Sequence, residues 1–199
     1  MNLPNKLTVI RMIMTPFFLI ALLWDFPYHY LVALLLFAVA SFTDYLDGNI
    51  ARKQGIVTNF GKFLDPIADK MLTTSAFLGF ILLDMCWGAV WVAFIVLFRE
   101  FLVSSVRMVA VSSGGKVIAA NIWGKLKTVS QMIAIVFAIA ARQATELLVQ
   151  FNVPAKTMET IVTLLGVSTD VLVWLSAILC AVSGVIYLID NKEFIDTTK

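Results

Sequence analysis

Residues 30–83 read YLVALLLFAVASFTDYLDGNIARKQGIVTNFGKFLDPIADKMLTTSAFLGFILL, two apolar runs joined by a short polar link. Each run, 30–52 and 61–83, exceeds the roughly 20 residues that an α-helix needs to cross a bilayer. The rest of the chain has the same character. Its 199 residues are 60% apolar and 14% charged, with a mean hydropathy of +0.92, against about half apolar and a quarter charged in ordinary soluble domains. A soluble globular enzyme is excluded, as is a disordered tail, and two cysteines cannot staple a secreted module. Further apolar stretches lie at 8–24, 87–111, 122–142 and 168–190. The fold class is therefore an all-α integral membrane protein of six transmembrane helices, a single membrane domain over 1–199. Lipid offers no partner to free backbone groups, and the alternating ten-residue segments of a β-barrel are absent.

The first stretch follows Lys6 and Arg11 like a signal peptide, but its exit at Leu23–Pro27 has no small-residue cleavage site. It reads as a retained span with a short amphipathic start. Placing the N-terminus inside puts Lys6, Arg11, Arg52, Lys53, Lys62, Lys116, Lys125, Lys127, Lys192 and Lys199 at the cytosolic edge and only Arg142 and Lys156 outside. The excess of inner basic residues favours N-in, C-in, in the cytoplasmic membrane. Residues 143–167 are expected to be the one long outer connection, lying as an interfacial helix. Trp87, Trp91 and Trp123 read as interfacial anchors, His29 as a solvated loop residue, and Cys86 and Cys180 as free thiols.

Ionisable side chains inside spans are costly unless paired or solvated. The chain carries 15 basic and 13 acidic residues, and eight of these fall within 44–70. Asp44 and Asp47 are i,i+3 on span 2, with Gly48 and Ala51 continuing their face. Asp65 and Asp69 are i,i+4 on span 3, with Gly61 one turn earlier. Folding the two spans as a hairpin about residue 56 brings the four carboxylates to one level, roughly 6–12 Å below the cytosolic edge at 1.5 Å per residue. They cannot all be ionised there without cations. An Asp-only donor set selects hard ions such as Mg²⁺, Mn²⁺ or Ca²⁺, and two such ions suit phosphoryl transfer. Arg52 supplies a phosphate contact at the mouth, and the small residues let a flat ligand approach the backbone.

The string Asp44-x-x-Asp47-Gly48-x-x-Ala51-Arg52, eight residues, Gly61, three residues, Asp65, three residues, Asp69 resembles the complete signature of the CDP-alcohol phosphatidyltransferases at all eight fixed positions. That resemblance implies transfer of a phosphatidyl group from a CDP-linked lipid to an alcohol with release of CMP. It implies Asp44, Asp47 and Asp65 as ligands of two Mg²⁺ or Mn²⁺ ions, and Asp69 as a ligand or the general base. Gly48, Ala51, Arg52 and Gly61 would surround the cytidine and its phosphates, and the protein would be a homodimer in the membrane.

The acceptor is read outside the signature. Glu100, Ser104 and Arg107 form a polar stripe on span 4, and span 5 opens with Gly124-Lys125-Leu126-Lys127-Thr128. A basic pocket of Arg107, Lys125 and Lys127 suits an acceptor that bears a phosphate. Residues 2–11, 98–107 and 124–131 are similar to those of the bacterial phosphatidylglycerophosphate synthases, which implies CDP-diacylglycerol and glycerol 3-phosphate as substrates, with no nucleic-acid partner. Inositol phosphate, serine and phosphatidylglycerol are alternative acceptors. Arg99 and Glu100, neighbours pointing about 100° apart, are expected to pair with other helices and not with each other. A divalent-cation transporter is the rival class, but residues 31–40 and 76–83 are almost wholly apolar, leaving no polar path through the bilayer.

Overall fold

The computed structural model describes residues 3–54, 59–112, 122–151 and 153–192. The side chains of 3, 4, 45–54, 59–63, 65, 66, 69, 111 and 112 are outside the description. The described residues form six helices and no strand: α1 (Leu3–Leu23), α2 (His29–Gln54), α3 (Asn59–Leu82), α4 (Ala89–Ser112), α5 (Ile122–Gln150) and α6 (Ala155–Asp190). The described breaks fall where helical backbone is hardest to continue. Tyr28 and Asp84 adopt left-handed φ values of 62° and 46°, and Gly88 one of 67°.

Burial runs inside out. On α1 the polar residues Asn5, Thr8, Arg11 and Thr15 are buried, while Ile13 and Phe17 are more than half exposed. In water that arrangement would be strongly unfavourable; in lipid it is what an apolar medium selects. α1, α4, α5 and α6 are long and apolar enough to cross a membrane. α2 and α3 contribute the apolar segments His29–Asp44 and Lys70–Leu82.

Each helix packs against two principal neighbours, in the cyclic order α1, α3, α4, α6, α5, α2 and back to α1. Phe18, Phe37, Phe77, Phe80, Ile135, Ile139 and Val173 fill the interior of that ring. α2 and α3, expected to be a closely packed hairpin, meet at few points among the described residues because α1 lies against both. Gly79 is what lets α1 approach: a methyl there would overlap the Leu22 side chain.

Two expectations about the opposite end are overturned. Residues 143–167 are not a separate interfacial segment; α5 continues to Gln150 and α6 starts at Ala155. The two helices pack along each other, and Pro154 caps the start of α6, where its missing N–H costs nothing. α6 has 36 residues, about 54 Å, against a hydrocarbon core of about 30 Å. α6 is therefore longer than a perpendicular crossing of the bilayer requires.

His29 is not solvated either. It is 6% exposed, with Nδ1 3.3 Å from the Ala21 carbonyl oxygen and Nε2 3.1 Å from Glu146 Oε1. Gln143 Oε1 accepts the Leu31 N–H at 2.8 Å, satisfying one of the open donors at the start of α2. The extension of α5 supplies both partners.

Candidate active site

The polar interior begins on α1. Arg11, buried to 3% exposure, reaches from one turn after Thr8 to form an ion pair with Asp44 of α2. Asp44 is the only motif aspartate whose side chain is described, and it lines a small cavity of about 60 Å³. Lys70 and Thr73 of α3 border the same space, as do Glu100 of α4 and Lys127 and Gln131 of α5. Five elements of the ring thus send charged groups to one level in an otherwise apolar bundle.

Those charges are tied to one another. Glu100 is the hub: its carboxylate accepts from Lys127 Nζ and, at 3.2 Å, from Arg99 Nη1. Arg99 Nη2 donates to Ser183 Oγ of α6 at 2.9 Å. Lys70 Nζ donates to Ser104 Oγ at 2.8 Å, and that hydroxyl donates to the Glu100 carbonyl at 2.7 Å. The expectation that Arg99 and Glu100 do not pair is corrected here. Gly184 leaves room for the arginine stem, since a Cβ at that glycine would lie 2.8 Å from Arg99 Cγ. The long side chain can then curl back toward its neighbour. The cross-helix contact to Ser183 holds as expected.

Asp47, Gly48, Ala51 and Arg52 lie on α2, and Gly61, Asp65 and Asp69 on α3; their side chains, and with them the convergence of the four carboxylates, are outside the described residues. Among the described residues no group of three His, Cys, Asp or Glu stands close enough to hold a metal ion. The donor set nonetheless has the chemistry of a hard-cation site, four carboxylates on two helices. The one described member, Asp44, faces a polar cavity with its side chain 41% exposed. Of the three basic residues expected at the acceptor, Lys127 lines the cavity and is buried against Glu100. Arg107 and Lys125 are exposed and do not line it.

The sequence profile of the CDP-alcohol phosphatidyltransferase family matches residues 1–182. The chain belongs to the CDP-alcohol phosphatidyltransferase family. It is thereby an enzyme, and its relatives are named accordingly. It is 35% identical, over 99% of its length and 98% of the relative's, to a CDP-diacylglycerol–glycerol-3-phosphate 3-phosphatidyltransferase of Bacillus subtilis. It is 38% identical to a protein of that name from Haemophilus influenzae, over 67% of this chain and 73% of the other. A probable phosphatidylglycerophosphate synthase of Mycobacterium tuberculosis is 44% identical over 67% of this chain and 64% of its own.

Within this phosphatidyltransferase, Arg11 and Lys70 are the site residues that sequence reasoning underused. The charge pattern accounts for Arg11 only as an inner-edge residue, and no sequence pattern singles out Lys70. The signal for Arg11 was present: Asn5, Thr8, Arg11 and Thr15 recur at three- to four-residue intervals, a polar stripe on an apolar helix, which in lipid marks the face that turns inward.

Proposed function

We propose that the protein transfers the phosphatidyl group of CDP-diacylglycerol to glycerol 3-phosphate, yielding phosphatidylglycerophosphate and CMP. The observation that carries this reading is the complete eight-position motif on α2 and α3, whose first residue, Asp44, opens onto the charged cavity. The names of the relatives support the two substrates.

In this reading the chain crosses the cytoplasmic membrane six times with both termini and the aspartates on the cytosolic side, and works as a homodimer. Asp44, Asp47, Asp65 and Asp69 would hold two Mg²⁺ or Mn²⁺ ions, which when bound neutralise charge on the pyrophosphate and its leaving oxygen. Gly48, Ala51, Arg52 and Gly61 receive the cytidine and its phosphates. Asp69 takes the proton of the glycerol hydroxyl, whose oxygen bonds to the lipid-bearing phosphorus as the bond to CMP breaks. Arg107, Lys125 and Lys127 hold the acceptor phosphate, and Arg11 and Lys70 add positive charge beside Asp44. A cavity of about 60 Å³ has room for about two waters, so the nucleotide lies outside it.

Substitution tests the assignment. Asp69→Asn keeps the shape of the side chain and removes the base, and CMP release should fall by at least 10²-fold, a loss typical of a general base. Retained turnover in the folded variant removes that role from Asp69.

A further inference from the structure

At the end of the bundle away from Asp44, a second cavity of about 380 Å³ opens between the α3–α4 loop and the α5–α6 pair. The loop is pinned on three sides. Arg142 Nη2 donates to the carbonyls of Leu83 and Asp84 at 3.3 and 2.5 Å. Asp170 Oδ1 accepts the Trp87 N–H at 2.7 Å, and Trp174 Nε1 donates to the Trp87 carbonyl at 2.9 Å. The cavity is thus held in shape by hydrogen bonds that leave part of each charged group unused. Arg142 keeps Nε and Nη1, Asp170 keeps its second oxygen, and the Asp84 carboxylate has no protein partner among the described residues.

We propose that this cavity binds the head group of an amine-bearing phospholipid, its phosphate on Arg142 and its ammonium on Asp84 and Asp170. One cation and two carboxylates give the site a formal charge of −1, which disfavours a net-anionic head group and suits one carrying both signs. The walls are amphipathic: Leu165 and Val162 of α6 and Ala138 of α5 face the same space. Trp87, 74% exposed and tilted against Trp174 with ring centroids 5.7 Å apart, has the position of an aromatic anchor at the level of lipid head groups. The chemistry of the site is independent of the reaction proposed above; only its assignment to the outer leaflet rests on that topology.

Gly166 supplies a clean test. It lines the cavity, sits on an exposed turn of α6, and a Cβ built there meets nothing within 4 Å. Gly166→Leu therefore adds bulk to the cavity wall at a position where the first added atom meets nothing, and helix propensity favours the change. Purified full-length protein in detergent would be incubated with phosphatidylethanolamine, phosphatidylglycerol or soluble phosphoethanolamine and bound ligand counted by native mass spectrometry. Phosphatidylethanolamine should be retained at least tenfold better than phosphatidylglycerol. Gly166→Leu, and independently Asp84→Asn, should abolish that preference while CMP release stays at the wild-type rate. Displacement of the lipid by phosphoethanolamine supports the site and assigns recognition to the head group alone. Equal retention of the two lipids, or unchanged preference in Gly166→Leu, overturns the proposal.

Discussion

Glu100 balances two buried cations, and removing its charge has a consequence that can be sized. Its side chain is 15% exposed, those of Lys127 and Arg99 are 11% and 9%, and both bases contact Oε1. Glu100→Gln keeps the volume but leaves two buried positive charges without their counterion. Removing one partner of a buried pair costs about 3–5 kcal/mol, and the nearby Lys70 adds to the repulsion. Lys127→Met should cost less, because Glu100 still has Arg99. The double variant Glu100→Gln/Lys127→Met should recover part of the loss, with a coupling of about 0.5–3 kcal/mol. Thermal unfolding of all four proteins in one detergent measures this. The ranking wild type, Lys127→Met, double variant, Glu100→Gln from most to least stable is expected. A Glu100→Gln protein that melts with wild type would show that Glu100 is not the counterion of this cluster.

Three further outcomes follow from the geometry. Gly79→Ala should destabilise by about 1–3 kcal/mol through overpacking, since Leu22 is fully buried and cannot swing away from the added methyl; Gly166→Ala in the same melting assay should not. Cys86, in the α3–α4 loop, is held protonated: burial first, then the negative charges of Asp170 and Asp84, push its thiol up to about 11 from 9.0. The reactive thiolate at pH 8 is then about a hundredfold scarcer than for an unperturbed thiol. Maleimide labelling of Cys86, followed by peptide mass spectrometry, should climb tenfold per pH unit up to pH 10. A plateau by pH 9 would contradict that environment. Chelation by EDTA should stop CMP release and Mg²⁺ or Mn²⁺ should restore it; activity that survives chelation would remove the two-metal reading.

What could be read before the fold was known divides along physical lines. Long apolar runs report helices because lipid leaves no alternative, so all six elements were legible from hydropathy. The motif was legible because its spacing is rigid: Asp44 and Asp47, or Asp65 and Asp69, share a face on any helix. Contacts between distant helices were not. Arg11 pairs with Asp44 because α1 lies against both α2 and α3, and no local pattern records that order. The 143–167 segment reads as a separate interfacial helix because Gln143, Glu146 and the hydroxyl residues around them interrupt the apolar run. In the fold those side chains cap α2, hold His29 and bond back along their own helices. Arg99 and Glu100 were kept apart by Cβ directions alone, which ignores the reach of an arginine stem and the space Gly184 leaves for it.

The central claim is that the chain moves a phosphatidyl group onto glycerol 3-phosphate. Purified protein supplied with CDP-diacylglycerol and Mg²⁺ or Mn²⁺ should release CMP and form phosphatidylglycerophosphate in equal amounts when glycerol 3-phosphate is the acceptor, and far less product with inositol phosphate, serine or phosphatidylglycerol. Turnover with one of those three and none with glycerol 3-phosphate would contradict it.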